Sequence, residues 1–293
     1  MKKLLITGAS GFLGWNLCQA ASENWQVYGT YFSQKVTIPK INLLKIDLKD
    51  YQAIAETFKI IQPDAVIHTA AASKPNYCQT HPQESYAINV TASLNIARLC
   101  QEYKIHCAFT STDLVFDGQN PFYSETSPVS PICYYGEQKV AAEEKMSEIT
   151  DAIAICRMPL MFGVPSPVSA SFLQGMIDSL KTGREVNLFT DEFRTPASAT
   201  TASVGLLLAI EQQVEGILHL GGKERISRYD FGLLVADLLK LPQELIKPGK
   251  QADIKMVAKR SPDTSLDSSK AFSLGYQPLS VKEELELIIN RRE

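Results

Sequence analysis

Apolar positions in the first half of the chain fall into short unbroken runs, separated by longer stretches where they recur every three or four residues. The runs at 4–7, 26–31, 43–46, 65–68, 105–110 and 152–156 predict six strands. Between them, helices are predicted at 12–22, after an N-cap at Asp50, onward from Pro82, and over 134–146. In the helix after Pro82, Tyr86, Val90, Leu94 and Ala97 are spaced four, four and three apart, as one buried helical face requires. Strands that are apolar throughout, alternating with helices, indicate a parallel sheet covered on both faces. The expected architecture is therefore a doubly wound α/β domain of the Rossmann type.

Beyond Arg157 the rhythm changes. Pro159, Pro165 and Pro167 interrupt the chain, and helices are predicted at 200–210 and 229–239 with a short strand at 217–220. This divides the chain into a dinucleotide-binding domain over 1–157, a return segment near 197–213, and a smaller mixed α/β substrate-binding lobe making up most of 158–293.

Composition narrows the function. Of 293 residues, 45% are hydrophobic and 21% charged, enough apolar material for a sizeable core. Twenty-nine basic against thirty-two acidic residues give −3, without the basic patch of a nucleic-acid binder. No stretch approaches the ~20 apolar residues of a membrane span. The opening Met1-Lys2-Lys3-Leu4-Leu5-Ile6 breaks at Thr7-Gly8, too early for a signal peptide, so a cytoplasmic protein is expected. The six cysteines form no C-x-x-C pair and the four histidines are scattered, so neither a disulfide framework nor a metal site is predicted.

Gly8-Ala9-Ser10-Gly11-Phe12-Leu13-Gly14 lies between the first strand and the first helix. Glycines in that context allow a tight turn and close backbone approach to a pyrophosphate, which the helix N-terminus attracts. A site for NAD usually carries an acidic residue about 20 positions on, yet none occurs between Glu23 and Asp47. Ser33 and Lys35, after the second strand, are placed to contact a 2′-phosphate, so NADP(H) is preferred and NAD(H) stays open.

Tyr135 and Lys139 are four apart on a predicted helix and share one face. A lysine ammonium beside a phenol is expected to lower its pKa from about 10, fitting it for acid–base work on a carbonyl. Such a pair alone is common on helix surfaces; the glycine turn upstream gives it weight. Ser111 and Thr112, at the carboxyl end of the fifth strand, point toward the expected site, where Thr112 could hydrogen-bond a substrate carbonyl. The competing reading is that they only turn the strand end.

Together, Gly8-x-x-Gly11-x-x-Gly14, Ser111-Thr112-Asp113 and Tyr135-x-x-x-Lys139 resemble the extended short-chain dehydrogenase/reductase family. The stretches 111–118, 121–125, 135–139 and 260–267 are similar to its dTDP-4-dehydrorhamnose reductase-like subgroup. The resemblance implies an NAD(P)-dependent oxidoreductase that reduces a 4-keto nucleotide sugar, with Thr112, Tyr135 and Lys139 as its catalytic set. It also implies that Gly8, Gly11, Phe12 and Leu13 contact pyrophosphate, Asp47 and Leu48 lie against adenine, Ala70 and Ala71 line the dinucleotide path, and Asn89 supports the cofactor side.

Relatives often have acidic residues where this chain has Asn76 and Gln79, which puts rhamnose specificity in question. Leu114 replaces the acid/base residue of related dehydratases and counts against dehydration. Two alternatives remain: a non-catalytic dinucleotide-binding regulatory subunit resembling the beta subunit of methionine adenosyltransferase, serving a partner enzyme, or a nucleotide-sugar epimerase. Arg194 and Arg260 are candidates for holding a substrate diphosphate, since a guanidinium fork suits phosphate oxygens; surface ion pairing is the plain alternative. Phe116 and Phe162 are expected in the core or wall, and homo-oligomerisation is left open.

Overall fold

The computed structural model describes residues 1–290. The six predicted runs are strands: β1 (Lys3–Thr7), β2 (Gln26–Tyr31), β3 (Asn42–Lys45), β4 (Ala65–His68), β5 (His106–Thr112) and β6 (Ile153–Met158). With Gly216–His219 they form a seven-stranded sheet in the order Gly216–His219, β6, β5, β4, β1, β2, β3. Every pairing in it is parallel. β1 lies between β2 and β4, so the chain winds away from it in both directions and opens a crevice at the strands' carboxyl ends.

The strand expected within the C-terminal lobe belongs to this sheet instead. Gly216–His219 pairs with Ala154–Arg157 along the free edge of β6. The preceding helix α8 (Ala199–Glu211) explains why: it packs beside α1 (Phe12–Ala21), so the chain leaving it re-enters at that edge.

Two apolar layers cover the sheet. On one face Leu13 and Leu17 of α1 meet Ala202, Leu206 and Ala209 of α8 over Leu4, Ile6 and Ile67. On the other, Ile54 and Phe58 of α2 (Tyr51–Ile61), Ile96 and Leu99 of α5 (Ala92–Tyr103) and Met146 of α6 (Tyr134–Ile149) close over Leu5, Val66 and Phe109. Burying each large side chain contributes roughly 1.5–3 kcal/mol. Asp50 caps α2, its side chain accepting from the Ala53 amide. A third cluster, in the C-terminal lobe, joins α7 (Phe172–Lys181), α9 (Arg228–Leu238) and helix Val281–Asn290 through Ile177, Phe231, Val235 and Leu285.

The helix expected from Pro82 is broken. α3 (Pro75–Thr80) precedes it, α4 (Pro82–Tyr86) is short, and a π turn over Ala87–Thr91 leads into α5. The extra residue of a π turn shifts the helical phase. Tyr86 is consequently exposed, and Ser85, Asn89 and Ser93 form the buried stripe at spacings of four. That stripe is polar because it lies behind the carboxyl ends of β4 and β5. Among the described residues, no helix is long and apolar enough to cross a membrane.

Candidate functional site

A cleft of about 950 Å³ opens at those carboxyl ends, between the sheet and the C-terminal lobe. Its first wall is the turn between β1 and α1. Gly8 has φ +72°, and a Cβ there would lie 2.8 Å from the Ala70 Cα, so only glycine fits. Gly11 is the N-cap of α1 and has no side chain to offer the first amides of the helix. Those N–H groups face the cleft beside Phe12 and Leu13, a ready anion seat.

Beneath this turn runs a fully buried chain of hydrogen bonds. Thr7 Oγ1 accepts from the Thr69 and Ala70 amides at 3.2 and 3.3 Å, so its own proton goes to His68 Nδ1 at 2.6 Å. His68 Nε2 then donates to Ser93 Oγ at 3.0 Å, and Ser93 donates to the Asn89 carbonyl at 2.7 Å. Burial, reinforced by the Lys139 charge, pushes His68 down to about 3. The imidazole is therefore neutral, and the chain fixes its tautomer.

The second wall carries the tyrosine–lysine pair. Tyr135 and Lys139 project from the first turns of α6, and Thr112 ends β5; all three line the cleft. Gly136 allows this placement, because a Cβ there would sit 2.2 Å from the Leu114 carbonyl oxygen. Burial raises the Tyr135 phenol, with the Cys78, Asp113 and Cys133 charges adding, while its hydrogen bond with Thr112 opposes. Burial pushes Lys139 down to about 7, against the pull of Glu143. Its Nζ lies 4.2 Å from the centre of the Phe109 ring. The phenol expected to be acidified by the ammonium instead lies above its ordinary value, because burial dominates it, and at Lys139 desolvation outweighs the Glu143 charge.

Ser111 lines the cleft beside Thr112, but its hydroxyl turns to a partner behind it. β5 extends past residue 110 because Ser111 and Thr112 pair with Arg157 and Met158 of β6. Side chains alternate along a strand, so Thr112 faces the cleft while the Ser111 hydroxyl donates to Glu143. Glu143 in turn holds the buried Arg157 guanidinium at 2.7 Å. Asn89 does not line the cleft. Its amide bonds the Ala72 backbone in both directions, at 2.8 and 3.2 Å, and donates to Gln138 at 2.8 Å.

At the far end of the crevice, Ser33, Asp47, Leu48, Ala70 and Ala71 line the cleft, as does Lys49, whose Nζ lies 3.5 Å from Asp47. Lys35 does not reach it; Lys49 is the cation there that the sequence reading passed over, being distant from the glycine turn in sequence. On the lobe side, Arg194 is 3% exposed and fully engaged. It contacts Asp113 at 3.3 Å, Glu192 at 3.5 Å and the Phe193, Ser261 and Pro262 carbonyls. This is the plain ion-pair reading, although buried rather than at the surface. Arg260 is half-buried and bonds Asn76 Oδ1 at 3.0 Å. Arg228, which the sequence reading missed, lines the same wall. Phe116 and Phe162 are core residues, Phe116 stacked on Tyr123 at 4.0 Å.

Comparison with known proteins identifies the family and the fold. The chain is 28% identical over 281 residues, covering 94% of it and 83% of the relative, to methionine adenosyltransferase 2 subunit beta of Rattus norvegicus. A hypothetical dTDP-4-dehydrorhamnose reductase from Sulfolobus tokodaii superposes with TM-score 0.84 at 31% identity, covering 96% of this chain and 98% of that one. The Bacillus anthracis dTDP-4-dehydrorhamnose reductase in complex with NADP superposes with TM-score 0.89 at 23% identity, covering 99% and 100%, and shares the Rossmann-like fold. The RmlD substrate binding domain matches residues 1–293, and the chain belongs to that family.

Proposed function

We propose that this protein is an NAD(P)H-dependent reductase of a 4-keto nucleotide sugar. The observation that carries the reading is the convergence of Thr112, Tyr135 and Lys139 on the same cleft as the glycine turn. The family and the dTDP-4-dehydrorhamnose reductase neighbours support it.

The cleft fits a dinucleotide. The bare approach at Gly8 and the uncapped start of α1 suit a pyrophosphate, and Asp47 and Leu48 line the adenosine end. Ser33 and Lys49 flank that end without a carboxylate at the close of β2, which favours NADP(H) over NAD(H). Bound there, a reduced nicotinamide supplies the hydride.

The acid–base work falls to the chain itself. A raised Tyr135 pKa keeps the phenol protonated at neutral pH, ready to give its proton to the substrate oxygen. Thr112 Oγ1 holds that oxygen against the phenol. Lys139, as ammonium, stabilises the phenolate left behind. Leu114 stands where related dehydratases carry an acid/base residue, which counts against dehydration.

Steady-state oxidation of NADPH and NADH with a panel of 4-keto nucleotide sugars tests the reading; dinucleotide binding without turnover on any of them overturns it. The likeness to methionine adenosyltransferase 2 subunit beta favours a second reading, a regulatory subunit that binds a dinucleotide and serves a partner. Co-purification of a stoichiometric partner with no reductase turnover would select it.

A further inference from the structure

Lys139 is 1% exposed, and a charge so far from water needs a counter-charge within the protein. The ionisable groups around it are His68 on β4, Cys78 on α3, and Tyr135 and Glu143 on its own helix. Three of these are uncharged at neutral pH. His68 titrates at about 3, and burial holds the Cys78 thiol and the Tyr135 phenol above their ordinary values. Asp113, on the turn after β5, is committed to Arg194 at 3.3 Å and to the Thr264 hydroxyl at 2.6 Å. Among the described residues, Glu143 is therefore the carboxylate left to face Lys139, one helical turn further along the same face of α6.

Glu143 is held as that task requires. It is buried, and Arg157 reaches it through Nε at 3.1 and 3.3 Å and through Nη2 at 2.7 Å, while Ser111 donates its hydroxyl from the cleft side. Every one of these partners donates, the pattern that suits a carboxylate. Arg157 is pinned in turn. Its Nη1 lies 3.5 Å from His219 Nε2, and its guanidinium carbon lies 5.1 Å from the centre of the Phe116 ring. His219 Nδ1 donates to the Tyr123 and Asp267 carbonyls at 3.0 and 3.2 Å, which leaves Nε2 as an acceptor. Burial and the Arg157 charge push His219 down to about 4, so a neutral ring backs the pair. A buried ion pair is weak evidence of stability in itself; this one sets its carboxylate beside a lysine that lines the cleft.

We infer that Glu143 is a positioning residue for the reduction: clamped by Arg157 and Ser111, it presents a fixed negative charge that keeps Lys139 as the ammonium beside the reacting phenol. The inference rests on reading Tyr135 and Lys139 as the acid–base pair of a reductase. Glu143 does not line the cleft and acts through Lys139. Its charge is the foremost one opposing the desolvation of that amine.

NMR titration of protein carrying isotope-labelled lysine, with Lys139 assigned from Lys139→Met, tests this beside the pH profile of kcat/KM for NADPH-dependent reduction. Glu143→Gln should move the Lys139 midpoint and the alkaline fall of kcat/KM down together by about 1 pH unit, the smaller effect of an opposite charge at close range. Near pH 8 that is an about 10-fold loss of kcat/KM, with little difference from wild type near pH 5. Glu143→Asp keeps the charge and should return most of the shift. Removing Glu143 alone strands the Arg157 charge and can prevent folding. The double variant Glu143→Gln/Arg157→Gln removes both charges at once, leaves amides able to pair, and should move both midpoints the same way. A Lys139 midpoint unchanged in whichever variant folds overturns the inference and leaves the reductase reading standing. A Lys139 midpoint that moves while the kcat/KM profile stays in place also overturns it. Wild type that turns over none of the 4-keto nucleotide sugars overturns the reductase reading and the inference with it.

Discussion

Asn89 donates from its side-chain amide to Gln138 Oε1 at 2.8 Å, tying the π turn to the middle of the Tyr135–Lys139 segment. Gln138 Nε2 in turn donates to Ser85 Oγ at 2.8 Å. The helix carrying Tyr135 and Lys139 is therefore held by a polar ladder from a neighbouring helix, and not by apolar packing alone. Asn89→Ala leaves buried groups on Gln138 and Ala72 unpaired, at a cost of about 1–3 kcal/mol. A lower urea midpoint and a fall in kcat larger than any change in dinucleotide affinity are expected. Unchanged kcat with lower stability would confine Asn89 to folding.

Tyr135→Phe removes the proton without altering the ring. Reduction should slow by about 10²- to 10⁴-fold, the usual contribution of a positioned acid. NADPH affinity, followed by fluorescence titration, should stay within about twofold. Turnover at the wild-type rate would take the proton-donor role from Tyr135.

Lys139 makes activity and stability respond to pH in opposite directions. Its amine falls from 10.5 to about 7 on folding. Between those values the unfolded chain binds a proton that the folded chain does not, so stability rises as pH rises from 7 to 10.5. At and below pH 7 the burial cost is present in full. Lys139→Met should abolish reduction, yet be more stable than wild type at pH 6, with the gap closing toward pH 10. For wild type, kcat/KM should decline as pH passes through about 7, where the free protein loses the ammonium. Parallel stability curves for the two proteins would remove Lys139 from this role.

Lys49 lies at the far end of the crevice, where Lys35 does not reach. Lys49→Ala should weaken NADPH by about 10-fold or more, as expected for loss of a charge-assisted phosphate contact, and leave NADH nearly unaffected. Equal losses for both would indicate a general effect of Asp47, its ion-pair partner at 3.5 Å.

Gly136→Ala puts a Cβ against the Leu114 carbonyl. Overpacking of that kind costs about 1–3 kcal/mol, and here it would push α6 away from Thr112. Loss of both melting temperature and turnover is expected. A variant that melts normally and turns over normally would show that α6 has slack at this contact.

Much of this was legible in the chain because it depends on local spacing. The glycine turn and the Tyr135–Lys139 pair are set by neighbours within seven residues, and the strands by unbroken apolar runs. The partner of the Ser111 hydroxyl was hidden by a boundary difference of two residues: a strand ending at Thr110 conceals the alternation that sends this hydroxyl to Glu143 and Thr112 to the cleft. The phase shift at Asn89 could not be seen, because the apolar spacing of Tyr86, Val90, Leu94 and Ala97 fits an unbroken helix equally well. How far the Arg194 guanidinium is committed lies beyond sequence reasoning. Which guanidinium is saturated depends on carbonyls at 193, 261 and 262 that only the tertiary fold brings together.

The imidazole beneath the glycine turn has a consequence for any titration of this protein. With its transition moved to about 3, His68 stays neutral throughout the neutral range, and the floor beneath the glycine turn keeps its hydrogen bonds there. Acid strong enough to charge that ring would break the relay from Thr7 to Asn89 at its middle link. Dinucleotide release at such acidity would then report collapse of the floor, not the titration of any group that touches the cofactor.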